Sequence, residues 1–209
     1  MLLRTPAAKR HPPGFIEPCI PTRVDKPPLG PQWIHEIKYD GYRLIVRKQG
    51  DQVRLFTRRG FDWTGRYPLI AHAAAKLPAS SAIIDGEAVY CDDAGVANFE
   101  KMHSRAYDDR VFLYAFDLLE LDGVDHKPQP LETRKEALAK LLKRARAGVH
   151  LVEHLEGDGA TVFAHACKLG FEGIVSKHRK HPYRSGRSKA WLKVKNPKAP
   201  GVLRFEDRE

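Results

Sequence analysis

Cysteine and long apolar runs are both scarce in this 209-residue chain, and each scarcity excludes a class of protein. The three cysteines are isolated, odd in number and never form a Cys-x-x-Cys pair: Cys19, Cys91 and Cys167. Neither a disulfide framework nor a zinc knuckle is therefore indicated, and a reducing, cytosolic compartment is expected. No apolar run approaches the roughly 20 residues of a membrane-spanning helix. The first ten residues also lack the apolar core of a signal peptide.

Acidic residues are the minority charge, with 26 Asp and Glu against 36 Lys and Arg. The formal net charge of +10 indicates a polyanionic partner or substrate, although a merely basic soluble protein remains an alternative. Hydrophobic residues make up 42% of the chain, which is typical of a globular protein with a real core. The ten histidines are scattered, so a metal site built on histidine is not expected.

Proline is concentrated at the start, since residues 1–31 hold eight of the fifteen prolines. We expect this segment to be an extended arm that packs on the domain without joining its sheets. The domain itself is expected over 32–196, followed by a tail over 197–209.

The pattern of apolar residues predicts an α+β fold with largely antiparallel sheets flanked by helices. Strands are predicted over 33–38, 42–47, 53–56, 81–91, 111–121, 149–152, 172–177 and 190–195. Helices are predicted over 64–77 with Thr64 as cap, 98–102 with Asn98 as cap, 131–145 and 160–169. In the third helix the leucines should face inward and the basic residues outward. A turn is predicted at 92–95.

Lys38 ends the first of these strands, in Trp-Ile-His-Glu-Ile-Lys-Tyr-Asp-Gly-Tyr-Arg over 33–43. Burying an ammonium group costs free energy, so a lysine at this position is expected to have a chemical role. A nucleophile would fit, because burial lowers the pKa of its amine. An exposed strand-end lysine is the alternative. Further charged or aromatic residues lie on strands that otherwise read as buried: Arg58, Glu87, Phe116, Glu172, Lys193 and Lys195. Each alone could lie on a solvated strand face, but their joint occurrence in this order argues against that.

Taken together, these segments resemble the covalent nucleotidyltransferases, which are the ATP-dependent DNA ligases, RNA ligases and mRNA capping enzymes. The matching text is Lys-x-Asp-Gly, Thr-Arg, Asp-Gly-Glu, Phe-Asp, Glu-Gly-Ile-Val and Lys-x-Lys, in that order. The wording is most similar to the ligase module of bacterial end-joining ligase D, from about Pro13 to Lys195. The resemblance implies the ATP-grasp-like adenylation fold of DNA ligases.

The resemblance also implies how the base and sugar of ATP are held. Glu36 would contact the adenine amino group, and Phe116 would stack on the ring. Ile37 is included among the nucleotide-binding residues. Arg43 and Glu87 would hold the ribose hydroxyls.

At the phosphates, the resemblance implies that Lys38 attacks the α-phosphate and carries AMP as a phosphoramidate. Lys193 and Lys195 would grip that phosphate, and Arg58 would position a phosphate of the nucleotide or of the nick. Mg²⁺ would be bound by Glu172, with Glu87 as a second carboxylate. Hard oxygen ligands suit Mg²⁺, so the carboxylates fit this role and the cysteines do not.

Eight Lys and Arg residues and no carboxylate lie between His178 and Lys198. Five of them are predicted to form a basic loop that clamps the backbone of nicked or broken double-stranded DNA: Arg179, Lys180, Arg184, Arg187 and Lys189. A solvated loop without a dedicated partner is the alternative.

Only fourteen residues follow Lys195, too few for the five-stranded oligonucleotide-binding (OB-fold) domain that follows this strand in active ligases. A minimal DNA ligase is therefore expected, with a separate OB-fold or end-joining protein as a possible partner. Its expected place is the bacterial cytoplasm, at the nucleoid. Two alternatives remain open: a DNA-binding module or remnant that binds ATP or AMP with little turnover, and an RNA ligase or capping activity.

Overall fold

The computed structural model of the protein describes residues 12–92, 97–145 and 147–199. Within these ranges the strands are β1 (Cys19–Arg23), β2 (Trp33–Lys38), β3 (Tyr42–Gln49), β4 (Gln52–Thr57), β5 (Ser81–Val89), β6 (Phe112–Leu121), β7 (Val124–Asp125), β8 (Val149–Leu151), β9 (Gly173–His178) and β10 (Gly186–Lys195). The helices are α1 (Pro68–Ala75), α2 (Phe99–His103), α3 (Leu131–Leu142) and α4 (Gly159–Lys168), with a 3₁₀ turn over Asp108–Arg110. The predicted turn at 92–95 lies mostly outside the described residues.

Two sheets carry the fold, and both are mainly antiparallel, as predicted. The first has the strand order β1-β10-β9-β2. The second has the order β4-β3-β5-β6-β7, with β8 paired in parallel to β6. The predicted α+β class is confirmed.

The prediction that the whole proline-rich arm stays outside the sheets is wrong for residues 19–23. These residues form β1, which pairs in parallel with β10 and places Cys19 opposite Gly186. Cys19 is buried between the sheets, and Phe15 packs edge to face on Phe56. The partner strand is more than 160 residues away, so no local pattern could reveal this pairing.

The core has three parts because apolar faces of both sheets must be covered. The largest part packs α1 and α3 on one face of the second sheet, with Ile70, Leu113 and Leu138 fully buried. A second part fills the space between the two sheets. A smaller part packs α4 against the first sheet. The molecule is therefore layered as helices, sheet, sheet and helix.

The residues at the N-termini of α1 and α2 determine where these helices begin. The helix predicted from Thr64 begins at Pro68 instead, because proline suits the first turn, where no backbone donor is needed. Thr64 uses its hydroxyl locally, accepting from the Leu55 amide and donating to Asp62. Asn98 caps α2 as predicted, accepting from the Lys101 amide.

In α3 the leucines are buried as predicted, but the expectation that its basic residues face outward is wrong for two of them. Arg134 and Lys135 are buried and meet carboxylates inside the protein. Among the described residues no helix is both long enough and apolar enough to cross a membrane.

Candidate active site

A cleft lies between the two sheets, and its space not filled by protein atoms is about 490 Å³, part of which is open solvent. Strands β2 and β9 of the first sheet form one wall, and β3, β5 and β6 of the second sheet form the other. Six of the predicted nucleotide-binding residues line it: Glu36, Ile37, Lys38, Arg43, Glu87 and Phe116. The remaining three, Arg58, Lys193 and Lys195, lie around one end, together with the predicted metal ligand Glu172.

Lys38 lies at that end of the cleft. The register of strands β2, β9 and β10 determines which side chains lie beside it. Gly173 of β9 lies opposite Lys38 on one side and opposite Lys195 on the other. The next residue back, Glu172, accepts a hydrogen bond from Lys38 Nζ at 2.5 Å and lies 3.1 Å from Lys195 Nζ. One carboxylate therefore joins the predicted nucleophile to one of the predicted phosphate-binding lysines.

Lys193 lies two residues before Lys195, so strand alternation aims both side chains to the same face. Burial lowers the pKa of Lys193, and the positive charges of Lys38, Lys195 and Arg58 lower it further. Glu172 acts in the opposite direction. The charges of Lys38, Lys193, Lys195 and Arg58 therefore meet at one end of the cleft, an arrangement that suits anionic groups such as phosphates.

Glu87 lies on β5, and its carboxyl group faces the same end. Burial raises the pKa of Glu87 to about 7, against the opposing effect of Lys38 and Arg43, and the carboxylates of Glu172 and Asp85 add to the increase. Its carboxyl group is therefore poised to change charge near neutral pH.

A magnesium ion is the metal that this donor set would suit. The structure has no group of three or more His, Cys, Asp or Glu side chains that could hold a metal, within the residues it describes. Mg²⁺ usually needs only one or two protein carboxylates, because water and substrate phosphates complete its shell. The pair Glu87 and Glu172, whose charges act on each other beside a cluster of cations, fits that requirement.

Arg43, predicted to hold ribose, is firmly held by protein groups. Its guanidinium donates to both carboxylate oxygens of Asp85, at 2.5 and 2.7 Å, and to the Cys19 carbonyl oxygen at 3.1 Å. It also lies 4.5 Å from the ring centre of Phe116. Asp85 accepts a third hydrogen bond from the Tyr183 hydroxyl at 2.6 Å.

Glu36 lies two residues before Lys38 on β2, toward the other end of the cleft, and is 2% exposed. One carboxylate oxygen lies 2.5 Å from Lys135 Nζ and the other 2.5 Å from Lys177 Nζ. Burial alone would raise the pKa of Glu36, but the two lysines outweigh burial and hold it below its usual value. Glu36 is therefore a buried, ionised acceptor.

Lys177 is the main pocket residue that sequence reasoning missed. It lies two residues after Val175 on β9, and its ammonium is 4.2 Å from the ring centre of Phe116 and 4.1 Å from that of Trp191. A lysine on a strand that otherwise reads as buried was the available signal. Lys135 gave no such signal, because helix α3 reaches Glu36 only through the tertiary fold.

The predicted DNA-binding loop is divided by the structure. Arg187 and Lys189 belong to β10, so the prediction that all five cations share a loop is wrong. Arg179 is 2.6 Å from Glu156, and Lys180 pairs with Glu132. The other three are exposed, and the described part of the chain offers them no ion pair: Arg184, Arg187 and Lys189.

Comparison with known proteins gives a consistent set of relatives. Residues 23–195 match the family model "ATP dependent DNA ligase domain". The chain is 37% identical over 187 residues to the multifunctional non-homologous end joining protein LigD of Pseudomonas aeruginosa, covering 88% of this chain and 22% of that protein. It is 42% identical over 168 residues to the LigD end-joining DNA repair protein of Mycobacterium tuberculosis, covering 79% and 22%.

Among solved structures, the mycobacterial DNA ligase D complexed with ATP and MES superimposes with a TM-score of 0.76 at 37% identity. That match covers 85% of this chain and 59% of the other. The chain thus spans about a fifth of the length of these curated relatives and about three fifths of the solved protein.

Proposed function

Since the chain belongs to the family of ATP-dependent DNA ligase domains, we propose that its cleft moves AMP from ATP to Lys38 and then to a broken DNA strand. The strand's 5′-phosphate would receive the AMP, and a neighbouring 3′-hydroxyl would then displace it to seal the break. The contact that carries this proposal is the hydrogen bond from Lys38 Nζ to Glu172, beside Lys195 and at the phosphate end of the cleft.

The two ends of the cleft suit the two ends of ATP. Glu36 is held ionised by two lysines, so it can accept a hydrogen bond from the amino group of adenine. Phe116 supplies an aromatic face for the ring. We propose that Arg43 and Glu87 meet the ribose, with Arg43 fixed in place by Asp85.

The first step would form a bond between Lys38 Nζ and the α-phosphorus, and break the bond between that phosphorus and the oxygen bridging to the β-phosphate. Pyrophosphate leaves with the bonding electron pair. Lys38 must lose a proton before it attacks, and Glu172 is the acceptor already hydrogen-bonded to it. The negative charge that develops on the α-phosphate faces Lys193 and Lys195, which act as preorganised cations.

Glu172 and Glu87 are the residues that would hold Mg²⁺. When bound, the ion would neutralise phosphate charge and so make the phosphorus easier to attack.

The DNA partner is proposed to be a nicked or broken duplex, in keeping with the end-joining relatives. The exposed cations Arg184, Arg187 and Lys189 are available for its phosphates. The proposed place of action is the bacterial cytoplasm, at the nucleoid.

The test is incubation with ATP labelled at the α-phosphate, together with magnesium. The wild-type protein should become labelled, and Lys38→Ala should not. Lys76→Ala, which removes an exposed lysine after α1, is the matched control and should label normally. Label that persists on Lys38→Ala would contradict the assignment, and absence of label from the wild type would favour a binding module with little turnover.

A further inference from the structure

The loop between β4 and α1 carries an exposed aromatic side chain that the nucleotide site does not use. Phe61 is 62% exposed, and Arg58 and Arg59 precede it in the same loop with exposed side chains. A single exposed phenylalanine is ordinary on a protein surface. Three further observations give this one a function.

The first observation is that three hydrogen bonds hold the backbone of the loop in a turn. The Thr57 amide donates to the Phe61 carbonyl oxygen at 2.9 Å, and the Phe61 amide donates to the Thr57 hydroxyl at 3.1 Å. Gly60 closes the turn with a third hydrogen bond to Thr57 and has a φ of +81°. The ring of Phe61 is therefore presented to solvent by a hydrogen-bonded turn.

The second observation concerns charge. The acidic residue of this loop, Asp62, is 2.9 Å from Arg54 and accepts hydrogen bonds from both the amide and the hydroxyl of Thr64. Neither Arg58 nor Arg59 takes part in an ion pair with any residue that the structure describes. The loop therefore offers two unneutralised guanidinium groups to an anionic partner.

The third observation is position. Thr57, the last residue of β4, lies opposite Leu44, and the neighbouring residue of β3, Arg43, lies opposite Glu87 of β5. The loop consequently borders the phosphate end of the cleft.

We infer that Phe61 stacks on the base face exposed at a DNA break, while Arg59 holds the adjoining phosphate, so that this loop distinguishes broken from intact duplex. The inference rests on the proposed ligase function. An intact duplex keeps its base faces stacked between neighbouring pairs, whereas an end exposes one and a nick lowers the free energy needed to open one. Aromatic side chains bind such a face without regard to sequence.

The two residues should fail in different ways. Phe61→Ala should reduce the preference for nicked over intact duplex by about tenfold, because a base stack is lost. The slope of log affinity against log salt should stay unchanged, since no phosphate contact is lost. Arg59→Gln should instead flatten that slope by about 0.9 and keep the preference for the nick.

The measurement is equilibrium binding of the protein to nicked and intact duplexes of one sequence, across a salt series and without ATP. Phe61→Trp should keep the preference, and Leu29→Ala, which truncates a side chain that is 78% exposed, is the matched control. Thermal unfolding midpoints equal to wild type establish that each variant is folded. Equal preference for the nick in wild type and Phe61→Ala would overturn the inference, as would an equal loss in Leu29→Ala.

Because binding is measured without chemistry, this result is separable from the ligase proposal. If the wild type becomes labelled with ATP but its preference for nicked duplex does not depend on Phe61, only the inference is refuted. A wild type that never labels refutes the ligase proposal.

Discussion

At the scale of single residues, the cleft lowers the stability of the fold mainly because it buries charged side chains. Glu36, Lys177 and Asp117 are almost fully buried, and burying an unpaired ion costs several kcal/mol. Each has an opposite charge within reach: Glu36 lies between two lysines, and Asp117 accepts from Arg134. The ion pairs thus make a charged pocket compatible with a stable fold.

The pair Arg134 and Asp117 tests this view of stability, because both side chains are 0% exposed. Arg134→Met should lower the free energy of unfolding by about 3–5 kcal/mol, since it leaves a buried carboxylate uncompensated. Arg54→Met is the control, because its pair with Asp62 is 67% and 37% exposed and should be worth less than about 1 kcal/mol. Urea unfolding measures both, and equal losses would contradict the account.

Lys193 tests the chemistry separately from the fold. Lys193→Ala should slow the transfer of label from ATP by about a hundredfold, because a preorganised cation at the α-phosphate is lost. The thermal midpoint should change by less than about 4 °C, since the side chain is half-buried and forms no ion pair among the described residues. Lys193→Arg, which keeps the charge, should recover part of the rate. If stability and rate instead fall together, Lys193 is structural.

At the scale of elements, the three neighbouring strands β2, β9 and β10 create the end of the cleft proposed for phosphates. Lys38 and Lys195 belong to the outer two strands, and Gly173 lies between them in register. A Cβ atom at Gly173 would lie 2.0 Å from the Val194 carbonyl oxygen, and the residue has a φ of +144°. Only glycine permits this close approach of strands.

Gly173→Ala should therefore destabilise the protein by at least about 3 kcal/mol, through backbone strain and a steric clash. Gly65→Ala is the matched control, because nothing lies within 4 Å of its added Cβ, and its effect should be under about 0.5 kcal/mol. Denaturant unfolding of the two variants decides the point. A wild-type free energy of unfolding in Gly173→Ala would show that the strands can separate without cost.

Local sequence patterns predicted many of these strands and helices. They failed where a contact depends on residues far away in the sequence. The strand ending at Lys38 and the cap at Asn98 are set by neighbours in sequence, so both predictions are confirmed. Strand β1 could not be predicted, because a proline-rich segment is typical of an extended arm and the partner strand β10 lies far along the chain. Lys135 was placed outside for a similar reason: helical periodicity cannot register a carboxylate that another element supplies.

At the scale of the whole molecule, two sheets meet along a cleft whose ends differ in charge. Glu36 and its two lysines occupy the end proposed for the base, and a cluster of Lys and Arg occupies the end proposed for phosphates. Part of the positive charge behind the net +10 lies at this second end of the cleft, and part lies on the exposed cations near β10. A chain organised in this way suits transfer of a nucleotide to a polyanion.

The central claim is that AMP passes from ATP through Lys38 to DNA, and a single chase experiment tests it most directly. Wild-type protein is labelled with ATP, freed of nucleotide and mixed with nicked duplex and magnesium. The account predicts that label leaves the protein, appears at the 5′-phosphate of the nick and is released as AMP when the strands join. Label that stays on the protein, or is released while the nick remains open, would contradict it.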